Sequence, residues 1–244
     1  WTTSRVIGSP DPPAKYVTQV AYAGLKFDEP LAFSIVPGMD RIGIAQRYGK
    51  LFTFPNELAT NDKTLLLELK RSVMGLAFHP KFASNGKFYV TSLPDPSTPT
   101  EKGSRVSEFR VTDRSTMTAD VDSERILIEW PNGGHNGGCI RFGPDGYLYL
   151  ATGDGSGIAD ERKTGQDISD LFGSILRLDV DHQADGKPYA VPSDNPFVGV
   201  ANARPEIWSY GHRQVWKFSW DSADGTMWAG EVGQDLWEMV YIIQ

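Results

Sequence analysis

His135 and Asp154 are the residues of this chain best suited to chemical work. A carboxylate that holds an imidazole in place makes an oriented general base, and the sequence supplies a reason for the two to meet. Between them run Cys139-Ile140-Arg141-Phe142, then Gly143-Pro144-Asp145-Gly146, then Tyr147-Leu148-Tyr149-Leu150-Ala151. Gly-Pro-Asp-Gly is a turn signal between two short runs rich in aromatic and aliphatic residues, which is the pattern of a β-hairpin. A hairpin returns its two ends to one edge. His135 enters the first strand and Asp154 leaves the second, so both are expected on one face. Taken alone, the pair also reads as two ordinary polar loop residues.

The elements that must position this pair recur along the chain. Residues 31–36, a turn at 37–40 and residues 41–47 and 48–54 form a first repeat. Residues 74–80, a turn through Ser84-Asn85-Gly86 and residues 87–91 form a second; the His135 hairpin is the third. The fourth is 216–221, a turn at Asp224-Gly225 and 226–233. Apolar runs at 65–69, 105–111 and 175–180 fit outer strands of the same unit, and 166–171 is the best candidate for a short helix, within a connection. Residues 17–20 and 25–27 are each a candidate strand, and Asp11-Pro12-Pro13 excludes a regular helix in the lead-in.

Hairpins repeated at intervals of roughly 40 to 80 residues, each with outer strands, predict an all-β fold of the β-propeller type. One blade cannot bury both its faces, so neighbours stack around an axis. A β-sandwich is the alternative. The propeller rule places His135, Asp154, Arg213, Gly233, Gln234, Gln46, Arg47, Lys70 and Arg71 around one opening, a polar pocket built from distant segments.

Composition narrows the classes. The chain has 244 residues, enough for one large domain or two small ones. It is 40% hydrophobic and 11% aromatic, and its 25 glycines and 16 prolines suit many short strands and turns, read here as a single β-propeller domain. The net charge of −7 gives no electrostatic footprint for nucleic acid. No apolar run approaches the roughly 20 residues of a membrane helix. Cys139 is the single cysteine, so an intrachain disulfide is excluded. The chain opens on Trp1 rather than Met, which fits a processed, exported protein, periplasmic or secreted.

The motifs together resemble a known family. Gly-His-Asn-Gly-Gly at 134–138, Phe-Gly-Pro-Asp-Gly-Tyr-Leu-Tyr at 142–149 and Thr-Gly-Asp-Gly at 152–155 are similar to the glucose/sorbosone dehydrogenases, the soluble quinoprotein aldose dehydrogenases. The likeness continues at 173–181, 193–197, 205–213 and 230–238, in the family's order. The resemblance implies a six-bladed propeller of which about four blades fall in residues 1–244, the later ones lying beyond Gln244. It implies pyrroloquinoline quinone (PQQ) and calcium (Ca2+) at the channel mouth, and an aldose oxidised at its anomeric carbon by hydride transfer to the quinone. His135 is then the general base, Asp154 the carboxylate that orients it, and Arg213 the cation beside the quinone oxygens. Asn136, Gln214, Lys70 and Arg213 are the implied cofactor contacts, and the carbonyls of Gly233 and Gln234 the implied calcium ligands. A small-molecule sugar is the implied substrate and a cytochrome or quinone the implied electron acceptor. Gln214-Val215 departs from the Asn-Pro that many relatives carry after the arginine.

Two other readings share these residues. One is a propeller that binds without catalysis, as hedgehog-interacting proteins resemble this family. The other is a calcium-dependent lactonase, to which Glu231 and Asp154 would contribute carboxylates. Asp179-Val180-Asp181 with Asp185-Gly186 lacks the spacing of an EF-hand and reads as a solvated hairpin turn. His79, at a repeat position before a proline, reads as structural, His212 as a neighbour of the pocket, and His182 as a loop residue. Trp216, Trp220, Trp228 and Trp237 are expected to pack between blades.

Overall fold

Each predicted repeat folds as a meander of antiparallel strands. The structure, a computed structural model, describes residues 16–93 and 103–244; the Asp11-Pro12-Pro13 lead-in lies outside the described residues. The first sheet runs β1 (Pro30–Ile35), β2 (Arg41–Gln46), β3 (Lys50–Pro55) and β4 (Thr64–Glu68) in chain order. The second runs β5 (Ser72–Phe78), β6 (Lys87–Leu93), β7 (Ser104–Asp113) and the short β8 (Thr118–Ala119), with β9 (Arg125–Trp130) also paired to β7. The third is β10 (Ile140–Phe142), β11 (Leu148–Ala151), β12 (Ser174–Leu178) and β13 (Ile207–Tyr210). The fourth is β14 (Val215–Trp220), β15 (Met227–Glu231) and β16 (Met239–Ile243).

These are four blades of a β-propeller. The first strand of each blade is innermost: β1 packs on β5 and β5 on β10, while β11 meets β14. Residues of all four inner strands, among them Phe33, Leu76, Ile140 and Lys217, line one channel cavity. Alternation along each strand sends one face to each neighbour, so the core is divided among the blade interfaces. Phe78, Phe88 and Phe109 pack with Leu51 and Leu66 between the first and second blades. Tyr89, Val106 and Trp130 pack with Leu148, Leu150 and Leu176 between the second and third. Tyr149 and Ile175 meet Val215, Phe218 and Ala229 between the third and fourth. Full burial of a Phe or Leu side chain contributes about 1.5–3 kcal/mol, so each interface is held mainly by such contacts.

Several expectations need correction. Residues 17–20 and 25–27 form no strand; 17–20 are exposed, and Phe27 packs on Phe54 of the first blade with ring centroids 5.6 Å apart. Residues 166–171 form no helix, because Asp167 and Asp170 turn their carboxylates back onto the N–H groups of Ser169 and Phe172 at 2.8 Å. Such local bonds compete with a helix. The described residues instead hold a one-turn helix, α1 (Phe82–Asn85), closed by Gly86 at φ +67°. Trp220 does pack between blades, 4.9 Å from Tyr149. Trp228 is 42% exposed on the face of the fourth blade away from the third, Trp216 is 39% exposed beside the channel mouth, and Trp237, 64% exposed, lies in the loop between β15 and β16.

His79 is structural, as its position suggests. Its Nδ1 accepts the Lys81 N–H at 3.0 Å and the Asn85 amide at 2.9 Å, leaving Nε2–H for Asp181 at 3.0 Å on the next blade. The Asp179 turn is a solvated hairpin, with Asp179 paired to Ala190 and its carboxylate accepting the Asp181 and His182 N–H groups.

Candidate active site

The third-blade hairpin forms as expected, with Ile140 opposite Leu150 and Phe142 opposite Leu148. Its turn closes by Gly146 N–H to Gly143 O at 3.0 Å, with Gly146 at φ +83°. Beyond the strands the two flanking loops continue to pair. The Gly138 N–H donates to Ala151 O at 2.8 Å, the Gly155 N–H to His135 O at 2.9 Å, and the His135 N–H to Ser156 O at 3.0 Å. Backbone runs against backbone here. A Cβ on Gly153 would stand 2.3 Å from His135 O, and one on Gly134 2.1 Å from Ser156 O. The glycines of this motif therefore permit the approach that brings His135 to Asp154.

That approach joins the two side chains. His135 Nδ1 lies 2.7 Å from Asp154 Oδ1, and both residues are buried. The same carboxylate oxygen accepts the Ser156 N–H at 2.8 Å, and Thr164 Oγ1 donates to the Asp154 carbonyl at 2.6 Å. A carboxylate accepts only, so Nδ1 carries the proton and Nε2 is the basic nitrogen of the ring.

The next segment arrives by backbone pairing rather than by sequence proximity. Gly153 pairs antiparallel with Gln214, and the Asp154 N–H donates to Arg213 O at 2.9 Å. On its other side the segment meets β15: the Val232 N–H donates to Gln214 O at 3.0 Å, and Glu231 Oε1 accepts the Arg213 N–H. Glu231 Oε2 lies 3.0 Å from His212 Nδ1, whose Nε2 lies 2.9 Å from Ser209 Oγ. The Arg213 guanidinium donates to Val232 O at 3.2 Å and Ile158 O at 3.1 Å, while its buried Nε has no partner. His135, Asp154 and Arg213 thus come together on one rim.

The remaining predicted residues fall in different places. Gly134, Asn136, Gly137, Gln214 and Trp216 line a cavity of about 240 Å³ at the channel mouth, together with Arg47, Ser72 and Met74. Asn136 spends its amide on the loop itself, accepting the Gly133 N–H and donating to Gly133 O, both at 2.8 Å. Gln214 Oε1 accepts the Gly137 N–H at 3.5 Å. Lys70 is exposed in the β4–β5 turn and is not among the residues lining this cavity; Arg47 is the cation there. Arg71 is bound to Glu124 and Gln46 is buried in β2. Gly233 follows Val232 in a tight loop where a Cβ would meet Trp237 O at 1.5 Å and where Glu238 Oε2 accepts the Gly233 N–H at 3.0 Å. Gln234 is exposed beside it.

Glu231, Ser156 and Thr164 are the contributors that sequence reasoning missed in these roles. The Gly230-Glu231 motif marked its segment, but only the meeting of two blades reveals that Glu231 holds the backbone of Arg213. Asp154 and Glu231 each serve a histidine on their own side of the Arg213 segment, and among the described residues no three His, Cys, Asp or Glu side chains gather as a metal site. The carboxylate set of a calcium lactonase is therefore not assembled by these two residues.

A planar tricarboxylate quinone needs cations, amide donors and an aromatic face; Arg47, Arg213, Gln214 and the half-exposed Trp216 indole supply them at or beside the mouth. A hard cation needs oxygen donors, which the carbonyls and acids of residues 233–238 provide.

Comparison with known proteins agrees with this architecture. The family described as Glucose / Sorbosone dehydrogenase matches residues 27–244. The HIPL2 protein of Arabidopsis thaliana is 37% identical over 70% of this chain and 31% of its own length. The Hedgehog-interacting protein of Mus musculus is 36% identical over 58% of this chain and 21% of its own length. The PQQ-bound aldose sugar dehydrogenase of Streptomyces coelicolor superposes with a TM-score of 0.72 at 25% identity, covering 92% of this chain and 62% of that one. The chain thus spans 31% and 21% of the length of these two curated relatives.

Proposed function

Because this chain belongs to the glucose/sorbosone dehydrogenase family, we propose that it carries the catalytic rim of a PQQ-dependent aldose dehydrogenase. The observation that carries this reading is the double tie of Asp154, by its side chain to His135 at 2.7 Å and by its backbone to Arg213 at 2.9 Å. One carboxylate residue thereby fixes a base and a cation on the same rim.

His135 Nε2 takes the proton of the anomeric hydroxyl. Asp154 holds the ring in the tautomer that leaves Nε2 free and stabilises the imidazolium that forms. Arg213 presents a fixed cation where negative charge develops, and such preorganised charge acts in the transition state. When bound, PQQ supplies the hydride acceptor. Arg47, Arg213, Gln214 and Trp216 would hold it, and the carbonyls of Gly233 and Gln234 would ligate calcium. The reading includes a periplasmic or secreted setting and a cytochrome or quinone as onward electron acceptor.

The test is a titration of the protein with PQQ and calcium followed by absorbance, then dye reduction on adding a panel of aldoses. Saturable binding with calcium-dependent sugar oxidation that disappears in His135→Ala supports the reading. Oxidation undiminished in that variant overturns the role of His135.

A second reading is a propeller that recognises a protein partner without turnover. It is favoured by the likeness to the HIPL2 and Hedgehog-interacting proteins at 37% and 36% identity. Absence of PQQ binding by the protein, with or without calcium, selects it.

A further inference from the structure

Below the rim, the channel narrows to a cavity of about 140 Å³ whose polar lining is unusual. Lys217 enters it from β14 and Arg141 from β10, with Cys139 beside them. The rest of the lining is Leu31, Ala32, Phe33, Gly75, Leu76 and Ile140. Among the described residues no carboxylate lines the cavity, and neither Lys217 nor Arg141 forms a salt bridge. The Lys217 amine stands over the ring of Trp216, 4.9 Å from its centroid.

Two like charges in a largely apolar channel are a costly arrangement unless something of opposite sign joins them. Burial pushes the Lys217 pKa down, and Arg141 pushes it further in the same direction. Cys139 opposes that fall, but burial pushes its own pKa up, so it supplies no full negative charge between the two cations. The cavity offers room for about four water molecules at their liquid volume of roughly 30 Å³ each, enough for a small oxyanion. A guanidinium and an ammonium converging on one space are the donors that carboxylate and phosphate groups select.

We propose that the channel waist is an anion site, in which Lys217 and Arg141 together bind a small oxyanion of the phosphate or carboxylate class. Such an anion ties β10 to β14 across the third and fourth blades and removes the repulsion between the two cations. Neither Lys217 nor Arg141 belongs to the catalytic rim, although Lys217 stands over Trp216, which borders the mouth.

The test is a thermal-unfolding and calorimetric titration of the protein with inorganic phosphate, and separately with acetate, at constant ionic strength set by a bulky-ion salt. Binding to the folded state alone raises the unfolding temperature in a saturable way. Lys217→Met should weaken affinity about tenfold or more, the effect of losing one charge-assisted hydrogen bond. Lys217→Arg should keep it within a few-fold. Arg141→Met, with its fold checked by circular dichroism, should match Lys217→Met. Stronger binding of phosphate or of acetate identifies the class of anion. Equal stabilisation of the wild type and both Met variants, or no saturable effect of either anion, overturns the site.

Discussion

Glu231 accepts the backbone N–H of Arg213 on one carboxylate oxygen while its other oxygen holds His212 Nδ1 at 3.0 Å. A buried acid at the end of β15 therefore fixes two consecutive residues that precede β14. Carboxylate hydrogen bonds of this kind contribute about 1.5–3 kcal/mol each. Glu231→Ala should lower the unfolding temperature. In the PQQ-loaded protein it should also slow cofactor reduction by sugar more than it raises the KM, because it displaces a group that acts in the transition state. A loss of stability with an unchanged reduction rate would separate Glu231 from the positioning of Arg213.

His135→Ala should reduce kcat by about 10²–10⁴-fold, the usual contribution of a positioned base, with PQQ affinity retained. Asp154→Asn should cost less, since the imidazole stays but its tautomer and orientation are no longer enforced. Steady-state kinetics on one aldose checks the order of the two effects, and a larger loss in Asp154→Asn would reverse the assignment of base and orienter.

Gly153→Ala should damage the site without touching a charged group. Its new Cβ would fall 2.3 Å from the His135 carbonyl oxygen, so the two loops must separate. Overpacking of this sort costs about 1–3 kcal/mol. Thermal unfolding should detect the loss, and the substitution should also lower turnover. Gly225→Ala is a control: no atom lies within 4 Å of the added Cβ, although φ of +77° leaves local strain.

Glu206 should govern acid stability. Burial opposes its charge, yet hydrogen bonds from Lys187, Arg204 and Tyr189 outweigh that and hold its pKa at about 2, below the ordinary 4.5. A depressed carboxylate pKa means that the unfolded chain binds the proton more readily. The stabilisation is therefore complete above about pH 4.5 and disappears as pH falls towards 2. Its size is on the order of 3 kcal/mol. Glu206→Gln should lower stability at neutral pH and flatten the fall between these limits, as measured by urea unfolding across the pH series. An unaltered pH profile would place the acid sensitivity elsewhere.

Much of the fold was legible because hairpins are local. The Gly-Pro-Asp-Gly turn, the Asp224-Gly225 turn and the alternating runs beside them specify β10–β11 and β14–β15 within about 20 residues of chain each. The strands least visible were those without a turn partner in sequence. β9 and β13 reach their places after long connections, and β16 pairs beyond the irregular loop at 233–238. The short helix expected at 166–171 failed because two Asp side chains satisfy the backbone there, a contest that apolar patterning does not register.

The site divides in the same way. The hairpin puts His135 and Asp154 on one edge by sequence alone. Their hydrogen bond, which makes them more than two ordinary polar loop residues, is set by the loop pairing beyond the strands. That Asn136 is consumed by its own loop, that Arg47 rather than Lys70 reaches the mouth, and that Glu231 holds Arg213 were decided by the tertiary structure. So was the meeting of Lys217 and Arg141 in the channel. The physical reason is range. Turn chemistry and strand alternation act between neighbours and are written in short motifs, whereas these contacts cross from blade to blade and depend on how whole sheets stack about the axis.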